Sequence, residues 1–125
     1  MKTSILLLTS LLAGHAMANP KINAFYSAGE LHRTLAPLTS QLDKTTPVMD
    51  TAKACIAEGY ILGVLDLLQS QSQSQHQICP PTQLDSLQFA ENVDEWIADR
   101  PDQFKYSANS VIKNALLDLY PCKSK

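Results

Sequence analysis

Very little in this 125-residue chain is suited to catalysis. No H-E-x-x-H, C-x-x-C, G-x-S-x-G or glycine-rich phosphate loop is present, and the three histidines are scattered. Two isolated imidazoles, His32 and His76, make neither a metal site nor a nucleophile–base pair, so a non-enzyme without cofactor is expected. No apolar run approaches the roughly 18 residues needed to span a bilayer, which argues against an integral membrane protein. Ten Lys or Arg stand against twelve Asp or Glu with no basic run, which argues against a nucleic-acid partner held by phosphate neutralisation. Four glycines and seven prolines exclude collagen-like repeats. What remains is one small globular domain.

The start of the chain reads as an export signal. Lys2 supplies a positive n-region, Ile5 to Ala13 a short apolar core, and Ala16-Met17-Ala18 an A-x-A cleavage signature. Residues 1–18 are therefore set aside as a signal peptide, and residues 19–125 as a single mature domain in the periplasm. In an oxidising compartment the three cysteines, Cys55, Cys79 and Cys122, are candidates for disulfide formation.

Hydrophobic periodicity predicts four helices and no strand. The first starts at Ser27, where S-A-G-E places Glu30 as a capping box demands, and ends before Pro37. The second is capped by Thr46, has Pro47 in its first turn, and runs to about Leu68 with Val48, Ala52, Ile56, Gly59, Gly63, Val64 and Leu67 as its apolar stripe. Gly59 and Gly63 each cost roughly 1 kcal/mol against alanine in a helix interior. Close packing of another helix, with Tyr60 at the groove's edge, would offset that cost; a homodimer contact is the alternative. The tract from Gln69 to Gln77, five Gln and three Ser with His76, reads as a loop. Thr82 with Asp85 three residues on resembles an acidic capping signature for a third helix, whose buried face is Phe89, Ala90, Val93, Trp96 and Ile97 and which Pro101 ends. The fourth runs from about Ser107 to Leu119, with Ala108, Val111, Ile112, Ala115, Leu116 and Leu119 inward. Short connections predict an all-α fold, a small four-helix bundle.

Such a bundle brings the start of helix three to the end of helix four, where Cys79 and Cys122 stand. Cys55 lies about 20 Å of helical rise from that point, whereas a disulfide needs Cα atoms within about 7 Å. A Cys79–Cys122 bridge is favoured, with a Cys79–Cys55 pairing through the flexible Gln/Ser loop as the alternative. Cys55 is otherwise expected to be a small buried apolar side chain, and His32 to lie on an exposed helix face. On helix three Glu91, Glu95 and Asp99 recur every four residues beside Asp94. They read either as a solvated face or as a docking ridge for a basic partner.

Four segments together carry a resemblance. They are A-C-I-A-E-G-Y-I-L-G-V-L-D (Ala54 to Asp66), I-C-P-P (Ile78 to Pro81), W-I-A-D-R-P (Trp96 to Pro101) and A-L-L-D-L-Y-P-C ending at Cys122. Their order and spacing resemble the Rap/Tai family of periplasmic immunity proteins over about Ala28 to Cys122. The resemblance implies a small helical, disulfide-bonded, often dimeric protein. It would bind a cognate peptidoglycan amidase delivered by a type VI secretion system and occlude its active site. It marks Cys55, Gly59, Tyr60, Gly63, Asp66, Cys79, Pro101 and Cys122, with Trp96 in its third segment, as mostly structural motif positions. Leu35 stands where members commonly have a further cysteine, which leaves Cys55 unpaired. The expected partner-binding set is Asp66, Gln71, Gln73, Gln75 and His76 with Glu91, Glu95 and Asp99. An envelope-complex subunit and a periplasmic holdase are the alternative functions.

Overall fold

A computed structural model describes residues 25–39, 45–71 and 77–123. They form four helices, α1 (Ala28–Thr39), α2 (Val48–Ser70), α3 (Ser86–Ala98) and α4 (Ala108–Leu119), with a 3₁₀ turn at Pro101–Gln103 before α4. Every helix touches the other three, and α1 packs most extensively on α2. The all-α bundle expected from periodicity is what forms.

Local chemistry explains the starts of α1 and α3, whereas at α2 Pro47, not the expected Thr46, stands at the N-cap with no side-chain cap hydrogen bond. The Ser27 backbone N–H donates to the Glu30 carboxylate at 2.8 Å, and the Glu30 N–H donates back to Ser27 Oγ at 3.2 Å. The Ser27 backbone hydrogen bond, with help from the Ser27 hydroxyl, holds the Glu30 carboxyl below its ordinary range. α1 continues through Pro37 to Thr39, beyond the predicted stop. With only one turn left, the ring costs a single helical hydrogen bond, to a carbonyl on the exposed Arg33. α3 is capped by Asp85, whose side chain accepts from the Gln88 N–H at 2.8 Å; Thr82 lies outside the helix. α2 extends two residues into the predicted Gln/Ser loop, and residues 72–76 of that loop lie outside the described residues.

Two backbone seams close the bundle at its ends. At one, the Ala28 N–H donates to the Tyr106 carbonyl and the Ala108 N–H to that of Tyr26, both at 2.9 Å, tying the starts of α1 and α4 together. At the other, the Cys79 N–H donates to the Tyr120 carbonyl at 2.8 Å and the Cys122 N–H to that of Gln77 at 3.1 Å. The Cys79–Cys122 disulfide lies across this second seam, joining positions 43 residues apart in sequence. Between the seams the core is filled by Leu31 and Leu35 of α1, Ile61 of α2, Val93 and Ile97 of α3, and Ile112 and Leu116 of α4.

α2 is where the sequence reading fails. Its inward residues are Ala54, Ala57, Ile61 and Leu68, whereas most of the predicted stripe faces solvent: Val48 is 86% exposed, Ile56 60% and Leu67 59%, and of that stripe Val64 alone packs partly against the core. Both faces are apolar, so periodicity could not say which one turns inward. Cys55 is a free thiol on the exposed side, not a buried filler. Among the described residues a Cβ added at Gly59 or Gly63 would meet nothing within 4 Å, so neither glycine receives any of the other three helices. Tyr60 is half-buried in an aromatic cluster, edge-on to Tyr26 with ring centroids 5.3 Å apart and stacked on Phe25 at 6.4 Å. The glycine that close packing does require is Gly29, where a Cβ would come 3.0 Å from the Cβ of Phe104.

Candidate functional site

The outer edge of α3, where it meets α4, has the most organised surface chemistry among the described residues. Trp96 and Arg100 lie one helical turn apart, so their side chains stack on one face. The Arg100 guanidinium sits 3.8 Å from the centre of the Trp96 ring, and its Nη1 donates to the Trp96 carbonyl at 2.9 Å. The indole N–H of Trp96 donates to Asp118 Oδ2 of α4 at 2.7 Å, and Arg100 Nη2 stands 3.6 Å from the same oxygen. Trp96, expected among the buried face, is thus half-buried, with its polar edge spent on α4. An aromatic and an arginine already fixed in place lose little freedom on meeting a partner.

Two shallow grooves flank this stack. One, about 280 Å³, is lined by Asn92, Glu95, Trp96, Asp99, Arg100 and Leu119. The other, about 390 Å³, adds Asn114 and Leu117 to Trp96, Arg100 and Asp118. Leu119, predicted to face the core, instead stands at the rim of the first groove, 36% exposed. Glu95, Asp99 and Asp118 place three carboxylates around a single guanidinium, so the surface is negative and complements a basic partner.

The structure gathers only part of the predicted partner-binding set. Glu95 and Asp99 share the first groove, and Glu91 is half-buried one turn earlier on α3. Asp66 and Gln71 are exposed on and just after α2, and neither lines these grooves. Gln73, Gln75 and His76 lie outside the described residues. Sequence reasoning missed the parts played by Arg100, Asp118 and Leu119. The four-residue spacing of Trp96 and Arg100 was a signal for the first; nothing short of the fold brings Asp118 to Trp96.

One member of the acidic series is not on the surface at all. Asp94 is 4% exposed, and its Oδ1 lies 2.8 Å from Nδ1 of His32 on α1. His32, expected on an exposed face, is partly covered, with its ring 5.5 Å from that of Phe104. Burial pushes the Asp94 carboxyl above its ordinary range, and the hydrogen bond and charge of His32 pull the other way.

No curated protein and no solved structure matches the chain. The family model for Rap1a immunity proteins matches residues 27–122, which takes in all four helices, the disulfide-bearing seam and the Trp96–Arg100 stack. The chain therefore belongs to the Rap1a immunity protein family.

Proposed function

We propose that this protein is exported by residues 1–18 and acts in the periplasm. There it binds the cognate peptidoglycan amidase secreted by a type VI system and blocks its active site by shape, without turnover. Family membership supports an immunity role and, with it, a cognate effector. The observation that carries the binding surface is the stack of Trp96 and Arg100 between two grooves, ringed by Glu95, Asp99 and Asp118. Aromatic and arginine anchors at the centre of a patch supply most of the energy of a protein interface, and the acidic rim steers a basic partner toward them. The same reading pairs two copies through the outer face of α2, where Val48, Met49, Ile56 and Leu67 stand exposed around the two glycines.

The test is to titrate the purified protein against each peptidoglycan amidase effector secreted by the producing strain and to follow cell-wall hydrolysis. Stoichiometric loss of hydrolysis by one effector is expected. Replacing Glu95 and Asp99 by lysine is expected to weaken that inhibition by tenfold or more, since each 1.4 kcal/mol of binding energy is about a factor of ten. Hydrolysis unaffected in every case would discard the amidase assignment. Inhibition unchanged in the charge-reversed protein would move the surface elsewhere.

A further inference from the structure

The His32–Asp94 contact bridges positions 62 residues apart and is the most deeply covered polar link between helices among the described residues. It sits where three parts of the fold converge. His32 comes from α1, Asp94 from the inner side of α3, and Phe104, just after the 3₁₀ turn, packs both on the His32 ring and against Gly29 of α1. The Gly29 N–H donates to the Phe104 carbonyl at 3.1 Å, so the backbone around the pair is fixed as well.

We propose that this pair is an acid-tightened clamp between α1 and α3. Asp94 is 4% exposed, and burying its ionised carboxylate is costly. Protonating the carboxyl removes that buried charge, so the folded state takes up this proton more readily than the unfolded chain does. The charged groups acting on Asp94 are His32 from α1 and its own neighbour Glu95 on α3. Glu95 adds to the negative potential and works in the same direction as burial. The sign follows from linkage. A carboxyl held above its ordinary range contributes most below its unfolded-state pKa, and that contribution is lost as the pH rises through the folded-state value. Acidification from neutrality therefore strengthens this contact, while it weakens ordinary carboxylate contacts such as the Ser27–Glu30 box. The clamp does not depend on the amidase reading, but α3 is the helix that carries Glu95, Trp96 and Asp99, so what it holds in place is the proposed docking edge.

The experiment is urea unfolding of the purified protein and of Asp94→Asn, each at about pH 7.5 and at about pH 3, below the ordinary aspartate range of about 3.9, with Glu95→Gln alongside. The unfolding constant of the unsubstituted protein should fall on acidification relative to that of Asp94→Asn, by up to tenfold for each pH unit separating the folded and unfolded midpoints of Asp94. Glu95→Gln should keep most of that difference. Equal pH dependence in the unsubstituted protein and Asp94→Asn overturns the clamp. If Asp94→Asn does not fold, carbon-detected NMR titration of the unsubstituted protein decides. A carboxyl midpoint for Asp94 above the ordinary aspartate range supports the clamp, and one at or below that range overturns it.

Discussion

α3 and α2 are built from similar amounts of apolar sequence and were legible to very different degrees. In α3 the apolar positions Phe89, Ala90, Val93 and Ile97 fall on one side and carboxylates fill much of the other, so only one face could turn inward. In α2 a residue chosen from either side is as apolar as one chosen from the other. The inner face is made of Ala54, Ala57, Ile61 and Leu68, and the outer of Val48, Ala52, Ile56, Gly59, Gly63 and Leu67. Periodicity locates a buried face by contrast, and α2 offers none. The uncovered side of α2 therefore presents Val48, Ile56 and Leu67 to solvent beside Lys53 and Asp66, more exposed apolar surface than the outer side of α3, which its carboxylates solvate.

The sharpest way to break this contrast is to untie α3 from α4. Replacing both Cys79 and Cys122 by alanine frees a loop of 43 residues, and in the chain-entropy picture should cost on the order of 4 kcal/mol, read as a fall in the urea midpoint. An unchanged midpoint would mean that the backbone seam from Gln77 to Cys122 holds the end of the bundle unaided. Next in size is a pair of substitutions within α2 itself. Ile61→Ala, in the fully buried core, should cost about 3 kcal/mol, whereas Ile56→Ala should change the stability of the monomer by less than about 0.5 kcal/mol. Comparable losses at the two positions would show that the outer face is buried after all.

The same contrast explains which features could be read from sequence. The capping box at Ser27 and Glu30 and the Cys79–Cys122 pairing rest on short-range chemistry or on the end-to-end logic of a bundle, and both are present. The cap of α3 was placed three residues early because Thr82 and Asp85 are both good capping residues, and only the position of Phe89 against the core decides between them. His32 and Asp94 were assigned to solvent because a polar residue is outward by default, and no local pattern links α1 to α3. At the candidate site, Glu95 and Asp99 could be read from their spacing. The groove they share needed Leu119 from α4, and the Trp96–Arg100 stack beside it needed Asp118, residues that become neighbours only when the helices pack.

The smallest expected effect bears most directly on what covers α2. Gly59 and Gly63 sit mid-helix with open space where a side chain would be, so within one copy of the chain each is simply a loss of helix propensity. Gly59→Ala and Gly63→Ala should therefore each stabilise the isolated monomer by about 0.8 kcal/mol, the alanine losing less backbone freedom and burying nothing polar. If a second copy packs its own α2 against this strip, the same two methyl groups stand between the helices. Monomer stability, read by urea unfolding at low concentration, would then rise while self-association, read by analytical ultracentrifugation, falls. A rise in the first with no change in the second would leave the glycines without a role in pairing and move any dimer contact to the flanking Val48, Met49 and Leu67. A fall in both would mean that the glycine face is covered even within the single chain, and the comparison between α2 and α3 would have to be redrawn.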